Sequence, residues 1–320
     1  MRGKWVWAII VAVTACIVAI WSARIYGAKR RPDAALLPIT TESRQRELSY
    51  SDVAEKLPDA VIAYIYSAHS RVESAFDVLG IPAEAAMTKE IYILWLQGFE
   101  NAPGVVQMCL RSWRFYNPDW NINIIDERNI GRLMRLNGYI GTGDNSIDNT
   151  KLSDIIRCIL LFERGGVWVD ATTFCNRPLV EWLPANIREG FFAFENGPIS
   201  SWFLYSDARN YVTRQWLQAI LVYFQTHDRA HTYFVIHELF GKLYESDERF
   251  KRIWDRVPKV SANGLGPHYL QEKGFFKQLT DEVKRDIDGK ITPLYKLTYK
   301  CDFGEMGDGQ NLAYLYNTIQ

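Results

Sequence analysis

Residues 151–174 read K-L-S-D-I-I-R-C-I-L-L-F-E-R-G-G-V-W-V-D-A-T-T-F, and this stretch decides the fold. Apolar side chains at 155, 156, 159, 160 and 162 keep helical spacing over residues 151–164. Gly165-Gly166 closes that helix, because two residues without Cβ permit a tight reversal through backbone angles closed to other side chains. Residues 167–169 then form a short apolar strand that ends at Asp170.

The segments on either side repeat the pattern. Residues 91–96, I-Y-I-L-W-L, are a continuous apolar run bounded by Gln97-Gly98, as in a strand buried on both faces. Residues 105–116 read as a helix stopped by Asn117-Pro118, and residues 120–125 as a second strand ending at Asp126. Strand, helix, strand, helix, strand predicts an α/β domain with a mixed, mainly parallel sheet flanked by helices. Ligands of such sheets bind beyond the carboxyl ends of the strands, so Trp95, Gln97, Asp126 and Asp170 are expected around one crevice.

Chemistry concentrates in the same region. Asp154 and Arg157, three residues apart, share a helix face; read alone, they are an ordinary ion pair at a helix start. Asp170 at a strand end adds a carboxylate suited to a hard divalent cation, Mn²⁺ or Mg²⁺, which on a diphosphate would neutralise a leaving group. One aspartate does not complete such a shell, so waters and phosphate oxygens must supply the rest.

Composition bounds the alternatives. The 320 residues carry 37 basic and 37 acidic side chains and are 48% apolar, which excludes a disordered chain and a disulfide-stapled miniprotein. Arg2, Lys4, Arg24, Lys29, Arg30 and Arg31 all precede the first acid, Asp33. The remainder is therefore net acidic, and nucleic acid is not an expected partner. Cys16 lies in the apolar N-terminal run, while Cys109, Cys158, Cys175 and Cys301 show no C-x-x-C spacing and read as core residues rather than a structural zinc site. His227, His231 and His237 lack the pairing of a catalytic zinc helix. Asp302, Glu305 and Asp308, set among glycines, read as a solvated loop. No pair of carboxylates stands out as a glycosidase dyad.

Three regions follow. Residues 1–31 form a membrane anchor: residues 5–21 are uncharged with tryptophans at both ends, residues 22–23 extend the run, and basic residues follow it. Its length and its ending favour an uncleaved anchor over a signal peptide. Residues 32–88 are a polar stem with a short helix near 60–79, and residues 89–320 the catalytic domain. Two basic side chains before the helix and four after it place the body in the cytoplasm, and the lack of any N-x-S/T acceptor agrees. That topology suits a bacterial inner membrane; a Golgi enzyme with a lumenal body stays open.

Eight segments carry a family resemblance in order: I-Y-I-L-W-L-Q-G at 91–98, S-W-R-F-Y-N-P-D-W at 112–120, L-S-D-I-I-R at 152–157, G-G-V-W-V-D-A-T at 165–172, F-F-A-F-E at 191–195, P-I-S-S-W-F at 198–203, I-W-D-R-V-P at 253–258 and G-P-H at 266–268. Together they resemble the capsular polysaccharide synthesis proteins and the related sugar transferases with a D-x-D motif, which have the Rossmann-related GT-A fold. The resemblance implies a glycosyltransferase taking a sugar from a nucleotide-sugar donor to a glycan or lipid-linked acceptor, in capsule or cell-surface polysaccharide synthesis. It makes Trp95 the platform for the nucleotide base with Gln97 nearby, Asp154 and Arg157 contacts of the donor sugar or phosphates, and Asp170 the first acid of the metal and nucleotide motif. His268 would be a further donor-phosphate or metal contact, while Ser200, Ser201 and Trp202 would form the acceptor side. The sequence departs from the D-x-D pattern at its third position, where Thr172 is a neutral oxygen and a poor ligand for a divalent cation. A non-catalytic nucleotide- or sugar-binding membrane protein is the alternative function.

Overall fold

The computed structural model describes residues 88–130, 149–227, 230, 232–300 and 306–320. The anchor at 1–31, the stem helix at 60–79, and Asp302 and Glu305 lie outside the described residues. Among the described residues no helix is long and apolar enough to cross a membrane. In chain order the elements are β1 (Glu90–Leu94), a 3-10 turn (Phe99–Asn101), α1 (Gly104–Tyr116), β2 (Asn121–Ile125), α2 (Asn149–Arg164), β3 (Gly166–Asp170), β4 (Thr173–Cys175), α3 (Leu179–Asn186), β5 (Phe191–Ala193), β6 (Phe203–Ser206), α4 (Tyr211–Thr226), α5 (Val235–Ser246), α6 (Glu248–Arg256), α7 (Tyr269–Lys273), α8 (Asp281–Asp288), β7 (Leu294–Lys296) and α9 (Asn311–Asn317).

Five strands make the main sheet in the order β2-β1-β3-β6-β5. β1 pairs in parallel with both β2 and β3, while β6 runs antiparallel to both β3 and β5. Four of the five strands therefore point the same way, as the alternation of strands and helices requires. The mixed α/β architecture with a mainly parallel sheet agrees with the sequence reading.

Register does the work that matters for function. Leu94 pairs with Ile125 on one side and with Asp170 on the other, so the carboxyl ends of β2, β1 and β3 finish in one row. α1 ends at Asn117, whose backbone is forced out of the helical region by Pro118. α2 and α4 pack on one another, and α2 also packs on β3 and β6. Between α2 and β3 the chain reverses through Gly165 and Gly166, at φ +67° and +110°. A Cβ at Gly165 would meet Ala208 N at 2.6 Å, and one at Gly166 would meet Glu90 O at 2.7 Å, both backbone atoms.

The core beneath β5 and β6 is aromatic: the ring of Trp182 lies 6.0, 5.8 and 5.4 Å from those of Phe192, Phe194 and Phe203. Trp113, fully buried, ties α1 to it by stacking on Phe203 at 6.4 Å, and donates from Nε1 to Thr173 O of β4 at 2.7 Å. Cys109, Cys158 and Cys175 are free and buried, as the sequence suggested, and burial pushes the Cys175 thiol up to about 12. A second, two-stranded antiparallel sheet pairs β4 with β7, setting Thr173 opposite Lys296. This small sheet brings a distant part of the chain to the end of β3.

Gly166→Ala is expected to lose about 1–3 kcal/mol, since the new methyl meets immobile backbone at a φ that side chains avoid. Gly104→Ala, at the open first position of α1 with nothing within 4 Å, serves as the contrast and is expected to be neutral or slightly stabilising. Urea midpoints of the two variants measure this, and equal midpoints would contradict the packing of β3 on β1.

Candidate active site

The site begins with a buried cation. Arg157, in the middle of α2, is 4% exposed, and so is Lys151 one turn and a half earlier. Helical spacing puts Lys151, Asp154 and Arg157 along one side of α2. Arg157 Nη2 lies 3.0 Å from Asp154 Oδ1 and 3.4 Å from Asp170 Oδ1. Its Nη1 donates to Ser201 O at 2.6 Å, and its guanidinium sits 5.3 Å from the centre of the Trp168 ring. Burial opposes its charge, yet Asp154 and Asp170 outweigh that and raise its pKa above the ordinary value. The i,i+3 pair foreseen from the sequence is thus an interior one, shared with a strand end.

Asp170 is the hub. Trp168, two residues earlier on the same face of β3, donates from Nε1 to Asp170 Oδ1 at 3.1 Å. Lys296 Nζ donates to Asp170 Oδ2 at 3.1 Å and to Thr172 Oγ1 at 2.9 Å. Burial pushes the Asp170 carboxyl up, but the Lys296 and Arg157 cations and the bonds from Trp168 and Lys296 hold it below the usual aspartate value. The backbone fixes these partners: Asp170 N donates to Trp202 O at 2.8 Å, Leu297 N to Thr172 O at 2.8 Å, and Lys296 N to Pro267 O at 2.8 Å.

Aromatic side chains edge this polar centre. Trp95, directly after β1, is half-buried and meets Tyr299 edge-on at 5.4 Å. Tyr233, 65% exposed, lies with its ring 5.0 Å from Lys151 Nζ, which donates to the Tyr233 carbonyl at 2.5 Å. Partial burial of its hydroxyl, with the Asp170 and Asp154 carboxylates nearby, raises the Tyr233 pKa. Gln97 is exposed in the turn after Trp95.

His268 precedes α7 and leans on Trp202, the ring centres 5.8 Å apart. Asn263 Oδ1 stands 2.9 Å from Nδ1; a carboxamide oxygen only accepts, so Nδ1 carries the proton and Nε2 the lone pair. Burial and the Lys296 cation lower the His268 pKa. Ser201 and Trp202 come to the site, but through their backbone carbonyls, while Ser200 N donates to Phe194 O at 2.9 Å and takes no part in the network. Their side chains are buried, Trp202 stacking on Phe194 at 5.4 Å and 15° and the Ser200 hydroxyl unpartnered among the described residues. Asp126 finishes β2 in the expected row, yet its carboxylate is taken up locally by Arg128 and by the backbone N–H groups of Arg128 and Asn129. It closes a turn rather than facing a ligand. His237 contacts this region from α5, and burial together with Arg157 and Lys151 lowers it to about 3.

Lys296, Lys151, Tyr233 and Tyr299 were not singled out by the sequence. The donor set for a cation is meagre: among the described residues no three His, Cys, Asp or Glu side chains converge. Asp170 already accepts from a protein donor on each oxygen, and Thr172 accepts from Lys296. As placed, these residues do not fit a divalent cation, which would have to displace Lys296 or stand beside it. A separate open cleft of about 280 Å³ lies behind the loop 261–267, lined by Phe194, Val260, Leu265, Ile291 and their neighbours with no charged side chain.

The family model described as capsular polysaccharide synthesis protein matches residues 49–316. A curated relative, the O-glycosyltransferase braB of Annulohypoxylon truncatum, is 29% identical over 101 residues, covering 28% of this chain and 24% of the relative. The chain thus spans about a quarter of the length of that protein. Two solved structures are similar at low superposition: the PaToxG glycosyltransferase, 14% identical over 81% of this chain and 96% of that one with a TM-score of 0.37, and the apo-form glycosyltransferase GlyE of Streptococcus pneumoniae TIGR4, 8% identical over 73% and 62% with a TM-score of 0.42. The family match takes in every described strand and all but the last residue of α9, with each member of the network inside it, and the chain belongs to the capsular polysaccharide synthesis protein family.

Proposed function

We propose that this chain is a glycosyltransferase of the GT-A type that moves a sugar from a nucleotide-sugar donor to a glycan or lipid-linked acceptor in capsule or cell-surface polysaccharide synthesis. The observation that carries the reading is the network in which buried Asp154 and Arg157 meet half-buried Asp170 and Lys296 at the carboxyl ends of the parallel strands, with Trp95 at its edge. Family membership supports the same reading. The anchor at 1–31, the stem at 32–88 and a cytoplasmic catalytic domain on a bacterial inner membrane belong to this proposal, supported by the uncharged run and the basic residues after it.

The chemistry follows from charge and shape. A nucleotide base has two flat faces, and the half-buried ring of Trp95 offers one of them a platform, with Tyr299 standing edge-on beside it. Arg157, Lys151 and Lys296 bring three cations against the two carboxylates of Asp154 and Asp170, a net surplus suited to a diphosphate. When the bond from the sugar to the diphosphate breaks, negative charge grows on the departing oxygens, and cations already fixed in place stabilise it without reorganising. Asp154, buried beside Lys151 and Arg157, holds these two cations in place, and the carbonyls of Ser201 and Trp202 fix Arg157 and the backbone of Asp170 from the acceptor side. His268, neutral with its Nε2 lone pair, adds an acceptor beside Lys296 rather than another charge.

The direct test incubates the purified full chain in detergent with a panel of nucleotide sugars and measures the nucleotide released. Trp95→Ala is expected to raise KM about 5- to 100-fold through lost stacking, and Arg157→Lys to cut kcat about 100-fold or more. Saturable nucleotide-sugar binding without release or transfer would favour a non-catalytic binding protein instead.

The charges also predict a pH dependence. The Asp170 pKa is lower in the folded chain than in the unfolded one, so its contribution to stability is fully present above the unfolded value of about 3.9 and is lost as pH falls through the folded value. Urea midpoints are expected to drop below about pH 4 in the wild type, and Asp170→Asn to be less stable at neutral pH with a shallower acid loss. Identical pH profiles for the two proteins would remove Asp170 from the electrostatic account.

A further inference from the structure

We propose that Lys296 supplies, with Arg157, the positive charge on the donor diphosphate that a divalent cation would otherwise bring, so that the donor is bound without metal. This rests on the transferase reading above and names the group that meets the diphosphate.

Three observations on the chain's own residues carry it. Lys296 is locked in place at the end of β7 by its register with Thr173 and by its backbone bond to Pro267, so its position is not that of a loose surface side chain. Its ammonium occupies the space between Asp170 Oδ2 and Thr172 Oγ1, the two side-chain oxygens that the Asp170-Ala171-Thr172 triplet presents. With 19% of its side chain exposed, Lys296 is half-sheltered, and these two bonds use two of its three N–H donors. A third is left for a phosphate oxygen.

Charge matching points the same way. Lys151, Arg157 and Lys296 outnumber Asp154 and Asp170 by one. The diphosphate of a nucleotide sugar carries about two negative charges, which leaves the set about one below neutrality on its own and about one above it with a dication, so the fixed lysine already brings the loaded site as near neutrality as a dication would. Thr172 fits this arrangement. A hydroxyl beside one carboxylate matches a monocation; a second carboxylate there would have made a pair suited to a dication. Lysine is also a known point-charge binder of phosphate, so nothing beyond its fixed position is needed.

A purely structural role for Lys296, tying β7 to the end of β3, would change stability but not the response to metal. The experiment is therefore titration calorimetry on the full chain in detergent with UDP, GDP and ADP, each with EDTA and with Mn²⁺, for wild type, Lys296→Ala and Lys296→Arg, with thermal midpoints measured alongside. The expected result is wild-type binding of at least one diphosphate that agrees within about threefold between EDTA and Mn²⁺. Lys296→Ala should weaken it about tenfold or more in EDTA. Added Mn²⁺ should restore part of that loss, because the vacated place between Asp170 and Thr172 can then take a cation, and Lys296→Arg should stay close to wild type. Wild-type binding that requires Mn²⁺, or that ignores Lys296→Ala, overturns the inference and leaves the transferase reading standing. Folded wild type that binds none of the three diphosphates under either condition overturns both. If Lys296→Ala does not fold, the wild-type comparison of EDTA with Mn²⁺ decides.

Discussion

The structure depends on one demand: a guanidinium buried in the middle of α2 has to find its counter-charges. Arg157 has given up nearly all contact with water, and an ion of that size left unpaired inside a protein costs several kcal/mol. Two carboxylates meet the demand, Asp154 on the same helix and Asp170 at the end of β3. The first pairing needs only local geometry. The second ties α2 to the sheet at one depth and one rotation, because a shift of α2 by a residue would swing Arg157 away from β3. Lys296 then balances the other oxygen of Asp170 and fixes the β4–β7 sheet against the same point.

Glycine makes that alignment sterically possible. The reversal from α2 into β3 takes two residues, both at positive φ and both against backbone. With a longer connection the last turn of α2 would stand off the sheet, and the distance from Arg157 to Asp170 would no longer be set by the chain between them. Twelve residues separate these two side chains, and the tightness of the turn turns that short separation into a direct contact.

How much of this was legible in the sequence follows from where each signal resides. The α2–Gly165-Gly166–β3 unit could be read because helix period, glycine pair and strand run are consecutive, and the strand-end rule then placed Trp95 and Asp170 beside each other. Asp154 and Arg157 were legible as a pair through their spacing, but not as an interior one, since burial depends on α4 and the loop at 201–202 covering them. Lys296 gave no signal. It sits on a three-residue strand, 126 residues from Asp170, and nothing in P-L-Y-K differs from any other short apolar stretch with a lysine. Tyr233 and Tyr299 belong to connections without periodicity. Asp126 misled in the opposite sense: its position was right, but a turn with Arg128 and Asn129 satisfied its carboxylate locally. Ser200 and Ser201 suggested hydroxyls for a sugar, and it is the carbonyl of Ser201 that the structure uses.

The origin of its parts also says something about how the site comes into being. Asp154 and Arg157 can meet as soon as α2 forms, and Asp170 joins when α2 docks on β3. Lys296 joins only through the pairing of β7 with β4, a contact of long sequence separation whose loop-closure entropy has to be met for it to form. Until then Asp170 carries an oxygen without its partner, and Arg157 faces two carboxylates with less positive charge nearby than in the finished fold. The electrostatic balance that suits the site to a diphosphate therefore exists only in the fully folded domain. The cation on the second oxygen of Asp170 is thus the one that comes from farthest along the chain, and the site is complete only once that long-range pairing is made.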